Sequence, residues 1–109
     1  MASLTNYLRT HRKRLALSQE EAAYMLGING ESKGSKVSRD ESFSREPSLQ
    51  TALAYEAIYG RPVRELFAGL YEQAEQEVAK RAKILTYRRG KPNPKRLETL
   101  MNLISKMTT

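Results

Sequence analysis

The sequence predicts an all-α protein: a domain of five short helices, followed by a helical hairpin extension. Three observations carry this. Ser18 with Glu21 and Ser48 before Leu49 are helix-starting signals. Gly27 and Gly60 stand where such helices would stop. Beyond Leu70, apolar residues recur at helical spacing, first as Leu70, Tyr71, Ala74, Val78, Ala82 and Leu85, then as Leu97, Leu100, Met101, Leu103, Ile104 and Met107. With 109 residues and no internal repeat, the chain has room for one modest core. Residues 1–69 are expected to form the main domain. Residues 70–109 are expected to pack on that core, on a twin subunit, or on both.

The first helix is expected to be capped by Ser3 or Thr5 and to run to about Leu15, with Leu4, Leu8 and Leu15, and Tyr7 and His11, facing inward. In the second, the Ser18 hydroxyl accepts from a free first-turn N–H and Glu21 reaches back to the Ser18 N–H, a capping box. Ala22, Ala23, Met25 and Leu26 give it an apolar face small enough for another helix to approach closely. Asn29–Gly34, rich in turn formers, reads as an extended turn. The third helix is expected over Ser35–Glu41. Stepping 100° per residue from a buried Val37 puts Ser35 and Arg39 on the opposite side, Lys36 and Ser38 on the flanks, and Glu41 back beside Val37. One apolar anchor under a Ser/Lys/Ser/Arg face is poor core material and suits a DNA major groove.

Ser42–Pro47 reads as loop, with Phe43 tucked against the core. Ser48 caps a helix over Leu49–Tyr59 with Leu49, Leu53, Ala54 and Ile58 inward, and Gly60 ends it. Pro62 suits the start of a fifth helix, and Val63, Leu66 and Phe67 close the core. Gly69 either breaks the next helix from this one or lets the two run on. Glu77 stands four residues before Arg81, a favourable exposed pair. Tyr87–Arg96 is a loop interrupted by Gly and Pro.

The net charge of +7 and a sequence pI near 9.9 favour a polyanionic partner without naming one. No cysteine means no disulfide and no thiolate metal site, and a reducing cytoplasm is the expected setting. No apolar run approaches the ~20 residues of a membrane span, and no signal-peptide core is evident. No membrane, metal or cofactor is therefore expected. His11 is the single histidine, so histidine-based metal or Ser/His/Asp chemistry lacks partners. Gly30–Lys36 lacks the Gly-Lys-Ser/Thr ending of a phosphate-binding loop and follows a helix, not a strand. An enzyme is not expected.

Arg12, Ser18-Gln19, Val37-Ser38-Arg39 with Glu41, and Pro47-Ser48-Leu49 occur in order at nearly matching spacing. On these residues the chain resembles the Xre/Cro-type, lambda-repressor-like helix-turn-helix regulators of phage and bacteria, over roughly residues 4 to 69. One departure is a link from Gly27 to Val37 about four residues longer than the family's, which leaves open where the recognition helix begins. The resemblance implies a buried Arg12–Glu41 ion pair tying the first helix to the recognition helix. It also implies double-stranded DNA as partner, a homodimer, and a cytoplasmic regulator, most simply a repressor on a palindromic operator. Carried over by position, Gln19 would bind a phosphate with its amide, helped by the helix N-terminus. Arg39 would read a guanine edge with its planar fork. Ser35 would touch a base or phosphate near the helix start, with Lys36 and Ser38 as further contacts. Lys33, in the turn, is a lesser candidate, and Arg45 would reach the DNA backbone from the following loop.

From Leu70 onward there are nine Lys/Arg against four Glu, so most of the positive charge lies in the extension. Arg88, Arg89 and Lys91 read either as an accessory phosphate-contacting patch or as a solvated loop. Two other functions stay open. An antitoxin-type autoregulator would use the C-terminal helices to bind a toxin or other protein. A protein-interaction module would have lost DNA binding, against which the basic face at Lys36 and Arg39 argues.

Overall fold

A computed structural model of the chain describes residues 4–28, 30, 33–88 and 93–105. Among these there are seven α-helices and no strand: α1 Leu8–Arg14, α2 Gln19–Met25, α3 Lys33–Glu41, α4 Leu49–Tyr59, α5 Val63–Leu66, α6 Ala68–Tyr87 and α7 Pro94–Ser105. The chain divides into two compact units, Met1–Gly69 and Leu70–Thr109, with the boundary inside α6.

Helix α1 starts later than expected. Tyr7 is its N-cap residue and supplies no side-chain cap; the carboxamide of buried Asn6 accepts from the Leu8 N–H at 3.1 Å. Thr5 thus does not cap it, and Ser3 lies outside the described residues. Leu8 is fully buried, but Leu4 precedes the helix and Leu15 follows it, so both leave the inward stripe and are exposed. His11 is mostly enclosed. Burial first, and then the Arg14 charge, lower its pKa from the usual imidazole value, against an opposing pull from Glu65.

The ends of α1, α2 and α3 share one device. After each, the chain passes through a left-handed residue: Ala16 (φ 58°), Gly27 (φ 80°) and Phe43 (φ 67°). The following N–H then bonds back into the helix, Leu17 to the Arg12 carbonyl (3.2 Å), Ile28 to Ala23 (3.0 Å) and Ser44 to Arg39 (2.9 Å). Only the middle position carries the residue type that takes this conformation without strain. Phe43 is therefore turned outward and is 51% exposed, not tucked into the core.

Helices α2 and α3 pack through fully buried Ala22, Ala23 and Val37, flanked by Leu26 and Ile28. On α4 the buried side is Ala52, Tyr55 and Tyr59, while Leu49 and Leu53 are 74% and 52% exposed and Ala54 and Ile58 half-buried. This corrects the expected Leu-centred face. The helix is apolar nearly all round, and the aromatic side wins because it meets a ring cluster and an acceptor. Tyr55 packs against Tyr59 (centroids 5.5 Å) and edge-on against Phe67 (6.4 Å).

Leu66 and Phe67 close this core. The Tyr7 N–H bonds the Leu66 carbonyl at 2.7 Å, fastening the N-terminal segment to α5. The break before α6 falls at Phe67, not at Gly69. Gly69 sits in the first turn of α6, where a Cβ would lie 2.3 Å from the Leu4 carbonyl oxygen and 2.7 Å from Thr5 Cα, so only glycine fits.

In the second unit, Arg96 bonds the Leu85 carbonyl at 3.2 Å, while Leu103 lines one cleft with Tyr71, Ala74, Glu75 and Val78. These contacts make α6 and α7 an antiparallel hairpin. Ala79, Ala82 and Leu100 are buried, whereas Tyr71, Val78, Leu85, Leu97 and Met101 stay substantially exposed. No helix among the described residues is long and apolar enough to cross a membrane.

Candidate nucleic-acid interface

Helix α3 starts at Lys33, two residues before the expected Ser35, so part of the expected turn is helical. Gly34 lies in its first turn beside α2, with Gln19 Cβ 3.7 Å and Glu20 Cγ 3.5 Å from where its own Cβ would be. The capping box at the start of α2 is complete: Glu21 N–H to Ser18 Oγ at 3.0 Å, and Ser18 N–H to Glu21 Oε1 at 2.9 Å. The Ser18 hydrogen bonds hold the Glu21 carboxyl below the usual range.

Two polar networks fix the inner side of α3. In the first, Arg12 donates from Nε to Glu41 Oε2 at 2.6 Å and from a terminal nitrogen to Oε1 at 3.2 Å. Arg12 and Glu41 are only 8% exposed. Its remaining terminal nitrogen bonds the Leu17 carbonyl at 2.9 Å, so one guanidinium ties α1, α3 and the turn after α1 together. The bond to Glu41 raises the Arg12 pKa, against the opposing effect of burial. Gln19 joins this network, donating from Nε2 to Glu41 Oε1 at 3.1 Å.

The second network centres on Asp40, which is fully buried and which the sequence reading passed over. Tyr55 donates its hydroxyl to Oδ2 at 2.8 Å, Arg45 donates Nε to Oδ1 at 3.0 Å, and Asn6 donates its amide to the Asp40 carbonyl at 3.0 Å. A buried carboxylate is tolerated when its lone pairs are filled in this way. The Tyr55 hydroxyl is pushed above its ordinary pKa by burial and then by Asp40. The signal was available: the stepping that puts Glu41 beside Val37 puts Asp40 on the same side, at 60°.

The outer side of α3 is what these anchors present. Ser35, Ser38 and Arg39 are exposed and Lys36 is half-exposed. The Arg39 Nε–H lies along the helix toward the Ser35 carbonyl at 3.4 Å, on an exposed side chain. Beyond the helix, the Ser42 and Ser44 hydroxyls pair at 3.0 Å.

The expected site residues therefore separate into groups. Ser35, Lys36, Ser38 and Arg39 share α3, which Lys33 opens. Gln19 stands beside them but is engaged with Glu41. Arg45 is not a free loop cation, being committed at Nε to Asp40 with its side chain 39% exposed. Arg88 is exposed just beyond α6, in the other unit, and Arg89 and Lys91 lie outside the described residues. Comparison of the chain with models of protein families, with curated proteins and with solved structures finds no match to any of them.

Proposed function

We propose that the protein is a sequence-specific double-stranded DNA-binding regulator of the lambda-repressor-like helix-turn-helix kind, with α2 and α3 as its helix pair and α3 entering the major groove. The observation that carries this reading is the two-sidedness of α3. Its inner side is pinned by Arg12–Glu41 and by Tyr55–Asp40–Arg45, while its outer side carries Ser35, Lys36, Ser38 and Arg39. A helix fixed so firmly yet covered outside by hydroxyls and cations is built to be read against an anion-lined groove.

Arg39 is the base reader, its two terminal nitrogens facing the acceptor pair of a guanine. Gln19 has a second amide hydrogen, beyond the one given to Glu41, for a phosphate oxygen. Arg45 keeps its terminal nitrogens for the backbone. The protein acts as a homodimeric repressor on a palindromic operator with half-sites about one turn (~34 Å) apart, not as an enzyme. The test is a footprint of the full chain on the DNA upstream of its own gene. Two protected half-sites related by a dyad support the reading; uniform coverage at every sequence overturns it. The antitoxin alternative predicts the same footprint and differs only in a second protein bound at the C-terminal helices.

A further inference from the structure

We propose that α6 is a self-recognition surface: it pairs antiparallel with α6 of a second copy, Val78 lying on the two-fold axis. This rests on the homodimer in the reading above and gives that dimer a surface.

With Val78 as reference, steps of 100° place Tyr71, Ala74 and Leu85 within 40° of it, with Glu77 at 100° and Arg81 at 60° on one flank. Tyr71, Val78 and Leu85 are 38%, 45% and 37% exposed, an apolar stripe longer than a single helix turn that the hairpin covers only in part. The stripe is symmetric about Val78. In an antiparallel pair the two-fold axis keeps each flank on its own side, so Tyr71 meets Leu85 of the second copy, Val78 meets its own equivalent, and Glu77 meets Arg81 of the second copy. Each contact off the axis then occurs twice, as a closed two-fold interface requires.

The charges of α6 are ordered in the same sense. All its acids, Glu72, Glu75 and Glu77, precede all its bases, Lys80, Arg81 and Lys83. The helix's own dipole does not account for this, since its influence fades within the terminal turns and those hold no matching charge. Within one chain, Glu77 reaches Lys80 and Arg81 only at 3.9 and 3.7 Å, between well-exposed side chains, while Glu72 and Glu75 have no ion-pair partner among the described residues. An antiparallel second copy brings the basic half of one helix against the acidic half of the other. A parallel one would set like against like.

The shape agrees. Tyr71, Ala74, Glu75, Val78 and Leu103 line a cleft of ≈ 170 Å³. Leu85 of the second copy falls opposite this cleft, so the hollow has an apolar occupant from the same helix.

The test is sedimentation of the full chain without DNA, so that its outcome is independent of whether α3 reads DNA. The wild type should sediment as a dimer. Glu77→Lys and Arg81→Glu, each alone, set like charges together twice per dimer and should raise the dissociation constant on the order of tenfold. An equimolar mixture of the two variants should recover the dimer, because every pair across the axis is again opposite in sign. Recovery on mixing cannot come from misfolded chains. A wild type that is monomeric at all concentrations, variants that dimerise like the wild type, or a mixture that stays monomeric overturns the proposal. Independently, the chain contains no cysteine, so Val78→Cys should cross-link to covalent dimer on mild oxidation while Gln76→Cys, on the far side of α6, should not. Equal cross-linking at both positions also overturns it.

Discussion

Tyr55 and Asp40 join α4 to α3 through one buried hydrogen bond of 2.8 Å, and the neighbouring Tyr59 hydroxyl, equally enclosed, has no partner among the described residues. Two tyrosines one turn apart thus differ in what their oxygens do. Tyr55→Phe strips a partner from a buried carboxylate and should destabilise by about 1–3 kcal/mol. Tyr59→Phe removes an unsatisfied hydroxyl and should be neutral or slightly stabilising. Urea unfolding of both variants checks this, and equal losses would contradict it.

The same tyrosines set an alkaline limit. Burial raises both phenolic pKa values in the folded state. Above about pH 10 the unfolded chain releases these protons while the folded chain keeps them. The unfolded state then binds fewer protons, so the stability contribution is whole below that pH and falls as pH rises, by up to about 1.4 kcal/mol per pH unit for each tyrosine. Denaturation at pH 8 and pH 11 should show the loss, and Tyr55→Phe should reduce its slope.

Arg12→Ala leaves Glu41 buried with Gln19 alone and should destabilise by about 3–5 kcal/mol. Arg12→Ala with Glu41→Ala should lose less than the two separate losses added together. Thermal unfolding of the three variants measures that coupling. Strict additivity would mean the pair does not act as a unit.

Ala16 and Phe43 hold left-handed backbone with side chains that strain it. Ala16→Gly should stabilise by about 0.5–1 kcal/mol, and Phe43→Gly should do the same because its ring is half in solvent. At Gly27, already glycine at φ 80°, alanine should cost about 1 kcal/mol. Melting temperatures moving in the same direction for all three would contradict the strain argument.

What the sequence made legible was local or paired. The Ser18–Glu21 box, the Ser48 cap and the glycine stops depend on neighbours within a few residues, and each forms. The Arg12–Glu41 pair was legible only through family resemblance. The inner face of α4 was not legible, because Leu49, Ala52, Leu53, Ala54, Tyr55, Ile58 and Tyr59 leave its periodicity without a direction, and Asp40 on another helix decides the matter. Nor was Arg45: a cation in a loop looks like a phosphate contact until the carboxylate that holds it is known to be buried. The start of α1 was misplaced because its cap is Asn6, which also reaches across to the Asp40 carbonyl.

In the proposed regulator, α3 reads DNA sequence through Arg39. The most direct measurement is a salt series of binding to the DNA upstream of the protein's own gene and to random duplex, with wild type, Arg39→Ala and Gln19→Ala. Tight binding to the upstream fragment should persist at physiological salt. Arg39→Ala should lose about 1–3 kcal/mol there and relax specificity, and Gln19→Ala should weaken both duplexes alike. Weak binding that is equal on both duplexes and vanishes with salt, or equal losses on both for Arg39→Ala, would contradict it.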